Sequence, residues 1–112
     1  MNPQHRDLAN GKWVKMSLAE QMANIGSEVE RAINWKNKNN KNYSYLALTR
    51  ALELIDLTIA YTQSLSRLRE FTRMRELLVE YFIGPNIYKS SDLLWHKYFY
   101  PFNFAARSQT NL

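Results

Sequence analysis

Apolar residues recur at steps of three and four along four separate stretches of this chain, and no stretch of useful length alternates apolar with polar residues. A step of three or four returns to one side of an α-helix, whereas a strand needs a step of two. The pattern predicts an all-α fold. The first stretch opens with Ser17-Leu-Ala-Glu20, a capping box in which hydroxyl and carboxylate each bond the other residue's backbone amide. Leu18, Met22, Ile25, Val29 and Ile33 then mark one buried face. Gly26 lies beside that face, where a missing side chain admits a neighbouring helix, and the helix runs out near Asn37. A second helix is expected from about Lys41 to Thr62. Leu48, Leu52, Ile55 and Ile59 form one of its stripes and Leu46, Leu54, Leu57 and Tyr61 another, so it should be covered on two sides.

A third helix spans about Ser66 to Ile83, with Leu68, Phe71, Met74, Leu77, Leu78 and Tyr81 inward and Arg69, Arg73, Glu76 and Glu80 outward. Gly84-Pro85 stops it. Ser90 or Ser91 caps a fourth, carried to about Arg107, in which Leu94, Trp95, Tyr98, Phe99, Phe102, Ala105 and Ala106 should face the core. Pro101 inside this helix removes a backbone donor and predicts a kink near Lys97 to Tyr100. Short connections favour antiparallel neighbours, hence an up-down antiparallel four-helix bundle with its fourth helix kinked at Pro101. The expected organisation is a polar N-terminal segment over 1–15, one helical-bundle domain over 16–108 and a frayed C-terminus over 109–112.

Composition narrows the chemistry. Without cysteine there are no disulfides, thiolate nucleophiles or Cys-based zinc sites. His5 and His96 are the only histidines, so neither a metal site nor a cofactor is expected. No apolar run is long enough to span a membrane and the N-terminus is polar, which predicts a cytoplasmic protein without a membrane partner. The net charge of +5 invites a nucleic-acid partner. However, Lys36, Lys38 and Lys41 sit in the Asn-rich stretch from Asn34 to Asn42, which reads as a solvated loop before a phosphate-binding patch. Gly-x-x-x-x-Gly-Lys, Gly-x-Gly-x-x-Gly and Gly-x-Ser-x-Gly motifs are all missing, and no catalytic residue is assigned.

Two constellations are candidates for a site. His96, Tyr100, Asn103 and Arg107 follow at steps of four, three and four on the back of the fourth helix, with Phe104 beside them. Such a strip could bind a phosphate, Arg107 anchoring the anion and His96 donating a proton, or it could pack on a helix of a second subunit. Arg50, Glu53 and Asp56 share an otherwise apolar helix, where charges are costly unless paired, and so predict a buried ion network. Arg50 is expected to meet Glu53, or Glu28 of a neighbouring helix; metal ligation or general-base chemistry by the carboxylates is the alternative. Trp35, with Asn24, Glu28 and Arg31, marks a polar flank of the first helix and reads as a packing anchor.

Four stretches carry a resemblance. They are Met16-Ser-Leu-Ala-Glu-Gln with Gly26-Ser-Glu-Val-Glu-Arg-Ala32, Arg50-Ala-Leu-Glu-Leu-Ile-Asp-Leu-Thr-Ile59, Arg67-Leu-Arg-Glu through Arg75-Glu-Leu-Leu78, and Tyr98-Phe-Tyr-Pro-Phe-Asn-Phe-Ala-Ala-Arg107. Together they resemble a family of small uncharacterised prokaryotic all-helical proteins. The first two helices are more distantly similar to HEPN-type bundles, dimers that accompany nucleotidyltransferases or act as ribonucleases. That resemblance implies a dimer and, as an alternative function, an RNA-binding or RNA-cleaving module. Neither His5 nor His96 follows an arginine at the four-to-six-residue spacing of the active HEPN ribonucleases. Surplus apolar surface, the second stripe of the second helix with Tyr100 and Phe104 on the fourth, makes a non-enzymatic homodimer, or a bundle that binds another protein, the leading expectation.

Overall fold

The structure, a computed structural model, describes residues 11–110, with side chains described to residue 108; His5 lies outside them. These residues form five helices and no strand: α1 (Trp13–Lys15), α2 (Leu18–Asn37), α3 (Lys41–Tyr61), α4 (Leu65–Phe82) and α5 (Asp92–Thr110). The four long helices are those expected from the periodicity. No helix among the described residues is long and apolar enough to cross a membrane.

Local chemistry sets the boundaries. At the start of α2 the capping box is formed: the Glu20 amide donates to Ser17 Oγ at 3.1 Å and the Ser17 amide to Glu20 Oε1 at 3.4 Å. Between α2 and α3 the Asn-rich stretch is not a loop but a tight connection of three residues. Asn39 takes a left-handed conformation (φ 62°), one of the few residue types that does so readily. The Asn40 amide then reaches back to the Trp35 carbonyl at 2.9 Å, and Asn40 Oδ1 accepts from the Tyr43 amide at 3.1 Å, capping α3. Trp35 meets Tyr43 edge-on across this turn, ring centroids 4.8 Å apart. Ser64 caps α4, and the Leu94 amide donates to Ser91 Oγ at the start of α5. Helix α5 continues through Pro101 to Thr110.

Helix α2 lies at the centre, packed against both α3 and α5; α3 in turn carries α4 and α1. Met22, Ile25, Val29 and Ile33 of α2 are buried, as are Leu48, Leu54 and Ile55 of α3, Phe71, Met74 and Leu78 of α4, and Trp95 and Phe99 of α5. At Gly26 α2 and α5 approach closely. A Cβ added there would lie 2.9 Å from the Phe99 ring, well inside van der Waals contact.

Three expectations need correction. Trp13, placed by the sequence in a polar segment outside the domain, is fully buried, so the packed unit begins at least three residues before position 16. Leu94 is 55% exposed rather than in the core, because the inward arc of α5 is narrow and centred on Trp95 and Phe99. The second stripe of α3 also divides: Leu54 is buried and Leu57 half-buried, but Leu46 is 51% exposed.

Candidate functional site

The four residues of the predicted α5 strip take up different roles. His96 turns to the α2 side, where Nδ1 pairs with Glu30 Oε1, and so links two helices. Tyr100 is 68% exposed, Asn103 is half-buried and Arg107 is exposed. Position, rather than polarity, is what Tyr100 shares with its neighbours. Leu93, Tyr100 and Phe104 follow at steps of seven and four, each more than half exposed, and form an apolar line on the outward side of α5. Lys97 and Arg107 lie along the same line and are also exposed.

Arg50, Glu53 and Asp56 do not form the expected buried network. Arg50 and Glu53 are half-buried, Asp56 is exposed, and no ion pair joins Arg50 to Glu53 or Glu28 among the described residues. Glu28 pairs with Arg31 on its own helix at 3.0 Å. Asp56 faces α4, where Arg75 grips it with two prongs, Nε to Oδ1 at 2.8 Å and a terminal nitrogen to Oδ2 at 3.4 Å. A guanidinium fork across two helices supplies two charge-assisted bonds in one plane, which the one-turn spacing of Arg50 and Glu53 cannot match. Arg50 instead borders a shallow hollow with Trp35, Tyr43 and Leu46. Among the described residues no group of three His, Asp or Glu side chains is placed to hold a metal ion.

Sequence reasoning missed a polar knot that joins the ends of three helices. Lys36 at the end of α2 donates to Asp92 Oδ1 and to the Tyr81 hydroxyl, each at 2.7 Å. Tyr81, near the end of α4, donates to Asp92 Oδ1, and Asn37 donates to Asp92 Oδ2 at 3.1 Å. Burial alone would raise the Asp92 carboxyl, but the bonds from Lys36, Tyr81 and Asn37 outweigh it and hold the group below its ordinary value of 3.8. Burial likewise works against the Lys36 ammonium, yet its bonds to Asp92 and Tyr81 prevail and raise it. Burial and the bond to Asp92 raise the Tyr81 phenol.

The sign of the resulting pH dependence follows. A depressed carboxylate stabilises the fold above its unfolded value, and that contribution is lost as pH falls through the lower folded value. The urea midpoint is therefore expected to drop between about pH 5 and about pH 2, and Asp92→Asn should flatten that drop. At neutral pH the same substitution should cost about 1–2 kcal/mol, as expected for removing charge-assisted bonds at a partly exposed site. An unchanged acid limb in Asp92→Asn would show that the knot does not hold in solution.

Between α4 and α5 runs a groove walled by Met74 and Leu77 on one side and Leu94, Trp95 and Tyr98 on the other, with Ser90 at its margin. The Tyr98 hydroxyl donates to Glu70 Oε1 at 3.1 Å; burial first, then the Glu70 charge and this bond, push the phenol far above its ordinary value. Trp95 Nε1 is buried and has no acceptor among the described residues. Compared with protein-family models, with curated proteins and with solved structures, the chain matches none.

Proposed function

We propose that this chain works by association rather than catalysis, as a homodimer joined along the outward line of α5. The observation that carries this reading is the exposure of Leu93, Tyr100 and Phe104 on one line of one helix, 59%, 68% and 65% respectively. Spacings of seven and four are those of a helix–helix seam. Apolar side chains aligned on one helix face, with Lys97 and Arg107 beside them, make the kind of surface that a partner covers. Covering what remains exposed of each such side chain is worth about 1–2 kcal/mol. A two-fold axis across α5 would let one patch serve both protomers.

The same proposal takes the four long helices as an up-down antiparallel bundle, the last bent at Pro101. Cross-helix pairs in which one number falls as the other rises support it: Gly26 with Phe99, Glu30 with His96 and Lys36 with Asp92, then Glu70 with Tyr98 and Tyr81 with Asp92. The alternative of an RNA-binding or RNA-cleaving module draws less support, because His96 is engaged by Glu30 of α2. Sedimentation velocity at micromolar concentration tests the dimer. Wild type should sediment as a dimer, and Tyr100→Glu with Phe104→Glu should raise the dissociation constant at least about a hundredfold, or about 2.7 kcal/mol, with helical circular dichroism unchanged. A wild-type chain that stays monomeric throughout would end this reading.

A further inference from the structure

Helices α4 and α5 are each seated on a different partner, α4 on α3 and α5 on α2. Two polar ties hold them beside one another: Tyr81 to Asp92 at one end, Glu70 to Tyr98 at the other. Between the ties the groove has a volume of about 290 Å³. Closing it would mean lifting a helix from its own partner or breaking a tie, so the space is held open by packing elsewhere. Its walls, Met74, Leu77, Leu94 and the rings of Trp95 and Tyr98, are apolar almost throughout.

The charges at the mouth decide what such a space would take. Glu70 already accepts the Tyr98 hydroxyl. Arg73 faces Glu76 at 3.6 Å and lies 4.8 Å from the centre of the Tyr88 ring. The two rim charges, Glu70 and Arg73, are opposite in sign, so the mouth carries no net charge and gives an ionic ligand no surplus counter-charge. A neutral molecule matches both this balance and the apolar walls. The volume lies near the lower end of small-molecule sites, about 300–1,000 Å³. We infer that the α4–α5 groove is a binding site for a neutral, apolar small molecule of aromatic or medium-chain hydrocarbon character, seated against the Trp95 indole. This site is separate from the outward line of α5 and does not depend on association.

The test is titration with the neutral dye N-phenyl-1-naphthylamine, followed by dye fluorescence and by quenching of tryptophan emission. Saturable binding of one dye per chain is expected, equally in wild type and in the Tyr100→Glu, Phe104→Glu protein. Ser90→Phe and Leu77→Phe, which fill the groove from its margin and from α4, should each weaken binding at least tenfold while their thermal melts stay cooperative. Dodecanol should displace the dye at a concentration at least tenfold lower than dodecanoate does. No saturable signal, binding lost with the α5 substitutions, or wild-type affinity in both filled variants would overturn the assignment. Preference for dodecanoate would overturn the neutral ligand class. A monomeric wild type in sedimentation would leave these expectations as they stand.

Discussion

Trp13→Ala is expected to destabilise the protein by about 3–5 kcal/mol, a large share of the about 5–15 kcal/mol by which a domain of this size is stable. The indole is fully buried, and its N–H donates to Thr58 Oγ1 at 2.9 Å. Thr58 in turn donates to the Leu54 carbonyl, so one hydroxyl accepts from α1 and donates within α3. Gln21 Nε2 closes over the Trp13 carbonyl at 2.8 Å. A helix of three residues has no stability of its own, and α1 holds its place by what its tryptophan inserts. Removing the ring leaves a cavity against α3 and frees the segment at once. Trp13→Phe retains much of the volume and loses the hydrogen bond, for an expected cost of about 1–2 kcal/mol. Urea unfolding followed by circular dichroism gives both values; a loss under about 1 kcal/mol for the alanine variant would place the indole outside the core in solution.

The second large effect is expected at Gly26. In an exposed helix interior Gly→Ala stabilises by about 1 kcal/mol, because glycine carries the greater backbone entropy in the unfolded chain. Here the added methyl would meet the Phe99 ring at 2.9 Å, and the sign should reverse. Overpacking of this kind costs about 1–3 kcal/mol, leaving a net loss of up to about 2 for Gly26→Ala and about 3 or more for Gly26→Leu. Phe99→Leu makes room, so a double-mutant cycle between the two positions should return a favourable coupling of about 1 kcal/mol. A Gly26→Ala protein more stable than wild type would mean that α2 and α5 do not approach here.

The helices were legible because their signals are local. Ser17 and Glu20 are three residues apart, and Asn40 needs only the amide of Tyr43 to start α3. Gly26 could be read as a close contact because a glycine beside an apolar stripe has few other reasons to be there. Trp13 gave no such signal: one turn is too short to show a period, and its neighbours are mostly polar. Lys36, Tyr81 and Asp92 each sit in ordinary surroundings along the chain, and only packing unites them. The acids of α3 misled for a related reason. Helical spacing suggests Arg50 with Glu53, but Arg75 lies 19 positions from Asp56 and reaches it across the α3–α4 contact. Candidate site geometry was thus hidden wherever the partner came from another helix. The outward line of α5 was half visible, Tyr100 and Phe104 being read as surplus, while Leu93 emerged only once the inward arc was known.

The central place of α2 has a kinetic consequence. Its contacts with α3 close across a three-residue turn, whereas its contacts with α5 join residues 56 and 66 positions apart. Short loops cost little entropy to close and long ones cost more, so the α2–α3 hairpin is set to form early and the last helix to dock late. During synthesis the α5 side of α2, with Gly26 at its middle, stays uncovered until α5 has emerged, and a nascent chain stalled before position 92 would present that bare flank to chaperones.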